Sequence, residues 1–265
     1  MVEVSYSTIR GNTAFGGPAF GGGGGLFGRH DVSVLKTTVS GNFSSGNAAG
    51  VGAFSGTNGN ANTFSLSAST VSGNIALLNA GGSASDASAV KVYNSTIAFN
   101  RSNRGAAHGS AYAPGFALYA PLQSIVVTLS SSILSQNYFG YSPDSTELDF
   151  SESPLNGHTI TLTGASGNNL IRVGPDPTPG ACPLLGPLRD NGGLTQTHAL
   201  LSHSPAIDTG SNILNFIQDQ RGADLGPLPP PYPRVSHGAA DIGACEVNQA
   251  DVLFNAAFDG CAPLS

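Results

Sequence analysis

A six-residue motif ending in asparagine returns five times along this chain, and few architectures accommodate such a pattern. The copies are STIRGN (Ser7 to Asn12), TTVSGN (Thr37 to Asn42), STVSGN (Ser69 to Asn74), STIAFN (Ser95 to Asn100) and SILSQN (Ser132 to Asn137), and ASGNNLI places Asn168 next in the series. Successive asparagines lie 30, 32, 26, 37 and 31 residues apart. A period of that size marks units that stack on their neighbours, and its unevenness suits a winding chain with insertions at its corners. Each copy follows an alternating run such as VSVLK, FSLSA, VKVY or IVVTL, the pattern of a strand with one buried face. Asn tolerates left-handed backbone at a corner, and its amide can bond to the Asn one coil away. The expectation is an all-β parallel β-helix, right-handed because parallel crossovers nearly always are. Asn12, Asn42, Asn74, Asn100 and Asn137 then occupy equivalent corners, and Ile9, Val39, Val71, Ile97 and the Ile133/Leu134 pair form an aliphatic ladder inside.

Composition agrees with that architecture. Only 10% of the 265 residues are charged, 36 are Gly, and two lysines and four glutamates leave little with which to build helix faces. The hydrophobic 40% arrives in short aliphatic runs, unlike a disordered chain. Glycine-rich stretches from Phe15 to Gly28 and from Asn47 to Gly56 recur between the motifs, where tight corners and close backbone approach are needed; a flexible linker is the alternative, weakened by the Leu26/Phe27 and Val51/Phe54 pairs set into them.

The chain changes character towards its C-terminus. Residues 1–143 carry three acids and six bases, the remainder thirteen acids and four bases, and fourteen of the seventeen prolines lie at Pro143 or later. Coils are therefore assigned to residues 1–180 and an irregular capping module, placed over an open end, to residues 181–265. Cys182, Cys245 and Cys261 lack metal-ligand spacing and suggest one disulfide plus one spare thiol, with the pairing open. No basic stripe with interleaved aromatics suits nucleic acid. No apolar run approaches the ~20 residues of a membrane span. The first residues show no export signal and begin in mid-pattern, as in a piece of a longer protein. A monomer is expected.

Three groups of residues could carry chemistry. THALLSHSPAIDTG (Thr197 to Gly210) offers His198 or His203 as base, Ser202 or Ser204 as nucleophile and Asp208 as orienter; its turn-forming SPAIDTG favours a structural role. Arg189, Asp190, Asp208, Asp219, Arg221, Asp241 and Glu246 are assigned to turns and a charge network holding the module together, since buried charges must be paired. Asp144, Glu147, Asp149 and Glu152 form the one dense acidic cluster, a candidate for Ca²⁺, though a solvated loop is the plainer reading. No other cofactor is indicated. Groove chemistry on a polysaccharide needs paired carboxylates or a cation with a base. Before Asp144 the coils supply only Glu3, Asp31 and Asp86, on separate rungs, beside Arg29, Lys91, Arg101 and Arg104. Tyr and Phe side chains could stack on sugars, although aromatic ladders inside the helix are their commoner use.

The motif STVSGN with glycine-rich corners resembles the repeats of polymorphic outer-membrane proteins and related bacterial surface β-helices. The stretch from Leu184 to Glu246, with LLGPLRDNGGLTQTHALLSHSPAIDTGSN, DQRG at Asp219 to Gly222 and DIGACE at Asp241 to Glu246, resembles the C-terminal module of choice-of-anchor Q domain-containing proteins. The resemblance implies an exported bacterial β-helix with a C-terminal sorting or anchoring segment, and brings no catalytic residues with it. The chain departs from that pattern in lacking an obvious sorting tail after VLFNAAFDGCAPLS. A secreted or cell-surface, adhesin-like scaffold that meets a polysaccharide or surface glycan is expected. A polysaccharide lyase or glycoside hydrolase comes second, and an esterase-like site in the module third.

Overall fold

The computed structural model describes residues 1–15, 23–55, 61–103, 112–140, 146–163, 168–174, 182–224, 231–236, 238–247 and 261. The alternating runs and motifs form short strands, four to a coil. The first coil holds β1 (Val2–Ser5), β2 (Thr8–Arg10), β3 (Thr13–Ala14) and β4 (Leu26–Gly28); the second β5 (Val32–Leu35), β6 (Thr38–Ser40), β7 (Phe43–Ser44) and β8 (Val51–Ala53). The third holds β9 (Thr63–Ser67), β10 (Thr70–Ser72), β11 (Ile75–Ala76) and β12 (Ser83–Ser85); the fourth β13 (Ala89–Tyr93), β14 (Thr96–Ala98), β15 (Arg101–Ser102) and β16 (Phe116–Ala120). The fifth runs through β17 (Ile125–Ser130), β18 (Ile133–Ser135), β19 (Tyr138–Phe139) and β20 (Phe150–Pro154), and a sixth adds β21 (Ile160–Leu162) and β22 (Leu170–Ile171). Like strands of successive coils pair in parallel into four sheets, β1-β5-β9-β13-β17-β21, β2-β6-β10-β14-β18-β22, β3-β7-β11-β15-β19 and β4-β8-β12-β16-β20. The chain is a parallel β-helix, without a helix among the described residues.

The expected aliphatic ladder is the register of the second sheet: Ile9, Val39, Val71, Ile97, Leu134 and Ile171 stand opposite one another on consecutive coils. Leu134, not Ile133, is the inward member of its pair; it joins the main core while Ile133 faces outward into a second cluster. Phe64, Phe116 and Phe150 stack across the same interior at 5.7 and 5.8 Å between centroids.

The asparagines stack as a hydrogen-bonded column. Asn12 Nδ2 donates to Asn42 Oδ1, Asn42 to Asn74, Asn74 to Asn100 and Asn100 to Asn137, each at 2.9 Å. The backbone N–H of each donor asparagine reaches the same acceptor oxygen at 3.0 or 3.1 Å. From Asn42 onward the amide also donates to the carbonyl of the aliphatic residue one coil back, Ile9, Val39, Val71 or Ile97. Donors and acceptors of these buried amides are thereby satisfied.

Two expectations about the column are corrected. The left-handed residue at each corner is the one before Asn, namely Gly11, Gly41, Gly73, Phe99 and Gln136, with φ between 59° and 66°. The column also ends on Asp149, twelve residues after Asn137, rather than on Asn168. Glu147 bridges antiparallel to Tyr138 and brings Asp149 beside Asn137, whose Nδ2 donates to Asp149 Oδ1 at 2.8 Å. The last member of such a column only accepts from the asparagine before it, so a carboxyl group fits where an interior amide could not be replaced. Asn168, exposed at φ 67°, belongs to a different column. There Tyr6, Lys36, Ala68, Asn94 and Ser131 are the left-handed residues. Each precedes a hydroxyl, and Ser7, Thr37, Ser69, Ser95 and Ser132 are linked by N–H to side-chain oxygen bonds that end on Asn169 Oδ1.

The glycine-rich segments owe their composition to this asparagine column. A Cβ on Gly25 would lie 2.9 Å from Asn42 Nδ2, and one on Gly82 would lie 2.9 Å from Asn100 Nδ2 and against the Gly115 carbonyl. Ordered coil rather than linker thus occupies residues 23–28 and 47–55; residues 16–22 and 56 lie outside the described residues.

The C-terminal module, expected over an open end, lies along the flank. A hairpin of β23 (Leu185–Arg189) and β24 (Thr197–Leu200), followed by irregular chain, covers the outer face of the second sheet. Thr38 Oγ1 donates to Gln196 O at 2.5 Å, Thr70 Oγ1 to Gln220 Oε1 at 2.6 Å, and Ala244 N to Thr96 Oγ1 at 3.2 Å. Ile133 and Leu170 pack with Leu185, Leu200, Ala206 and Ile242. The Cys182–Cys261 disulfide spans 79 residues, leaving Cys245 buried outside it.

Candidate functional site

The residues proposed for acid–base chemistry do not converge. His198, on β24, is buried; its Nδ1 donates to Gly186 O at 2.7 Å and its Nε2 accepts from Ser72 Oγ at 2.8 Å. Ser72 was not among the expected partners. Its outward position on β10 places it under the hairpin, and the pairing cannot be read from two segments 126 residues apart. Burial pushes the imidazole down to about 4, with the Gly186 carbonyl opposing. A general base must hold the proton it takes, and this ring has no carboxylate beside its N–H and sits against Phe99 at 5.0 Å. Ser204 Oγ instead donates to Pro183 O at 2.6 Å and accepts from Ala206 N at 3.2 Å. Ser202 is half-buried, while His203 and Asp208 are exposed, both in left-handed backbone with φ 67° and 54°. It is the N–H of Asp208, donating to Asp241 Oδ1 at 2.8 Å, that anchors the turn.

The module residues separate into a buried cluster and two surface turns. Arg221 forks onto Asp219, with Nη2 at 2.8 Å and Nε at 3.0 Å from Oδ2, and donates to Glu246 O at 2.7 Å. Asp219 also accepts from the backbone N–H of Arg221 and Glu246. Glu246 accepts from Asp241 N at 2.8 Å and faces Arg234 Nε at 3.3 Å; Asp241 accepts from Val247 N at 2.7 Å. Burial, with Asp241 beside it, raises Glu246 to about 8 against the pull of Arg234, and burial raises Asp241 as well. Arg189 and Asp190 are exposed: Arg189 Nε donates to Asn191 Oδ1, and Asp190 accepts from Gly192 N.

Lys36, Asp224 and Arg234 complete the network and were not anticipated. Lys36 is fully buried where the second coil meets the module, its Nζ 2.7 Å from Asp224 and 2.9 Å from the carbonyls of Gln218 and Gly222. Burial lowers its pKa more than Asp224 restores it. Its sequence signal was faint: a lysine at the corner where other coils place Tyr6, Ala68, Asn94 and Ser131.

In the acidic cluster, Asp144 lies outside the described residues. Glu147 accepts from Gln136 N at 2.7 Å and pairs with Arg172 at 2.7 Å. Asp149 takes N–H bonds from Asn137 and Val173, and burial followed by the Glu147 charge raises it to about 8. Glu152, half-buried, is also raised by burial. Among the described residues no three His, Cys, Asp or Glu side chains are placed to share a metal ion. Asp31 and Asp86 likewise turn to backbone, accepting from Thr63 N and Ser55 N.

A groove with a different lining lies on the outer face of the fourth sheet. Its floor is made of small residues, Ala80, Ala84 and Ala117; Phe54 forms one wall, Tyr112 and Tyr119 another, and Asn47 and Asn79 close a corner, around a volume of about 190 Å³. Gly52 lets Phe27 and Phe54 stack at 5.9 Å, because a Cβ there would lie 3.0 Å from the Phe27 ring. Tyr112 and Tyr119 meet edge to face at 5.5 Å. Asn79 Nδ2 donates to Asn47 Oδ1 at 3.1 Å, whereas the buried Asn79 Oδ1 accepts no hydrogen bond. NAAG at Asn47 and NAGG at Asn79, 32 residues apart like Asn42 and Asn74, were the available signal for this corner.

Among the described residues no helix is long and apolar enough to cross a membrane. No family model, no curated protein and no solved structure matches the chain.

Proposed function

We propose that this chain is a non-enzymatic, exported surface scaffold of the adhesin-like kind, a β-helix buttressed along one flank, whose free faces meet glycans. One observation carries the reading: among the described residues the candidate acid–base side chains do not converge, and the buried ones are held by the fold while His203 and Asp208 stand apart at the surface. Asp31, Asp86 and Asp149 accept backbone N–H donors, and His198 is wedged between Ser72 and the Gly186 carbonyl. Such bonds hold a fold and do not present these four groups as proton carriers to a substrate. The resemblance of the repeats to polymorphic outer-membrane proteins, and of the Leu184–Glu246 stretch to the choice-of-anchor Q module, supports export and display at a bacterial surface.

The test is turnover by the full chain on polygalacturonate, alginate and neutral glucans, with and without Ca²⁺, and on p-nitrophenyl acetate. No release of unsaturated ends, reducing ends or nitrophenol is expected. Sugar-end release abolished by Asp31→Asn or Asp86→Asn, or ester hydrolysis abolished by Ser72→Ala, would replace the scaffold by an enzyme.

A further inference from the structure

We infer that the groove between Phe54 and Tyr119 is a binding site for one uncharged pyranose ring of a glycan, held by aromatic walls and by the Asn47/Asn79 corner. This rests on the glycan-binding part of the proposed function and specifies where and what is bound.

Four observations converge. The walls are the aromatic faces and edges of Phe54, Tyr112 and Tyr119, surfaces that suit the C–H face of a sugar ring, apolar on its flat side and hydroxylated at its rim. The floor positions are alanines, and together with Gly52 they keep the depression open between aromatics contributed by the second and fourth coils. Asn79 lines the groove and is half-buried, and its Oδ1 is covered and accepts no hydrogen bond; such groups are scarce in folded proteins, and a rotation of the side chain towards the groove would let a sugar hydroxyl supply the missing hydrogen. Among the described residues the lining holds no Asp, Glu, Lys, Arg or His, and burial together with Tyr119 holds the Tyr112 phenol up at about 12, so it stays neutral. None of these lining residues pairs with a uronate, sulfate or amino sugar charge. At about 190 Å³ the space is below the roughly 300–1,000 Å³ of drug-sized ligand pockets, which suits a single ring with the rest of the glycan lying outside.

The same concavity offers no chemistry to the ring it would hold. It is a recognition site built from the wall of the solenoid, on strands held in parallel register by their neighbours. Its affinity is expected to be modest, and repeated contacts along a surface polymer would raise it.

The experiment is calorimetric titration of the full chain with four neutral probes (cellotetraose, mannotetraose, galactotetraose and xylotetraose) and one charged probe, tetragalacturonate, with melting temperatures recorded for every variant. Saturable binding of a neutral probe is expected, weakened about tenfold or more by Tyr119→Ala and by Asn79→Ala. Ala84→Leu, which fills the floor without removing a contact of the coils, should abolish binding while the protein melts as the parent does; this variant decides the matter if Tyr119→Ala fails to fold. Neutral binding that persists in Ala84→Leu and Tyr119→Ala would overturn the groove while leaving the glycan-binding reading in place. Binding of tetragalacturonate alone would overturn the uncharged ligand. Absence of binding to every probe would overturn both this inference and the glycan-binding part of the proposed function, with the scaffold part still judged by the turnover assay.

Discussion

The coils and the flanking module bury polar groups by opposite means. In the coils each column repeats one kind of bond from coil to coil: the Asn42 amide donates to Asn74 as Asn74 does to Asn100, and the backbone N–H of Thr37 donates to Ser69 Oγ as that of Ser69 does to Ser95 Oγ. In the module no group has an equivalent, and Asp219, Arg221, Arg234, Asp241 and Glu246, all buried, are matched individually. Neutral repetition spreads the work over many similar bonds. An aperiodic cluster concentrates it, so the two regions should fail differently when a single group is removed.

The largest effect is expected at Arg221→Ala. It leaves Asp219 charged, buried and stripped of its guanidinium, which costs about 3–5 kcal/mol, and urea unfolding should show a midpoint shift to match. A loss below about 1 kcal/mol would mean that the cluster is hydrated and that the contrast with the coils fails. Asn74→Ala comes next. It removes the acceptor of Asn42 and the donor to Asn100 and Val39, a loss of about 2–3 kcal/mol from buried groups left unpaired. Asn12→Ala, at the exposed end of the column, should cost well under half of that; equal losses at the two positions would show that the column does not act through neighbours.

Gly82→Ala should cost about 1–3 kcal/mol by overpacking, since its Cβ would press on the Gly115 carbonyl and the Asn100 amide. Gly157→Ala has open space around its Cβ but a φ of 79°, so comparing the two separates collision from backbone strain.

The pH dependence should also distinguish the regions. Glu246, raised to about 8 from 4.5, keeps its proton in the folded chain where the unfolded chain has lost it. Its contribution is therefore full below about pH 4.5 and falls as the pH rises through 8. Asp149, at the end of the asparagine column, has the same sign, its window running from 3.8 to about 8. His198 acts oppositely: lowered to about 4 from 6.5, it contributes fully above 6.5 and loses that contribution as the pH falls towards 4. Melting curves of Glu246→Gln should flatten the alkaline loss without touching the acid one, and a parent-like pH profile in that variant would contradict the shift. The smallest effect belongs to Asp208→Asn. Its carboxylate is exposed and the turn is held by its N–H, so a change below ~0.5 kcal/mol is expected. A larger loss would place the side chain in the network after all.

Sequence reading reached the coils further than the module. Period, strand alternation and the inward Val39, Val71 and Ile97 were legible because each coil meets the same environment as its neighbour, so a local pattern repeats a three-dimensional one. Even there the reading stopped at the last coil. Asn168 continued the spacing, but the turn through Glu147 brought Asp149 to the end of the column. Arg221 and Asp219 were legible as buried partners because charges in an otherwise charge-poor chain must be compensated. Lys36 was not, since its partners lie 182 to 188 residues away.

The sequence by itself determined that this chain winds into stacked parallel coils, that a column of asparagines and one of aliphatic residues run through them, and that its C-terminal part is built differently. Periodicity encodes contacts between equivalent positions, and those contacts need no further information. The tertiary structure alone decided that the module lies on the flank rather than over an end, that His198 meets Ser72, and that Phe54, Tyr112, Tyr119, Asn47 and Asn79 enclose one groove. Such meetings join non-equivalent positions far apart in the chain, and nothing in the local pattern of residues fixes the distance between them.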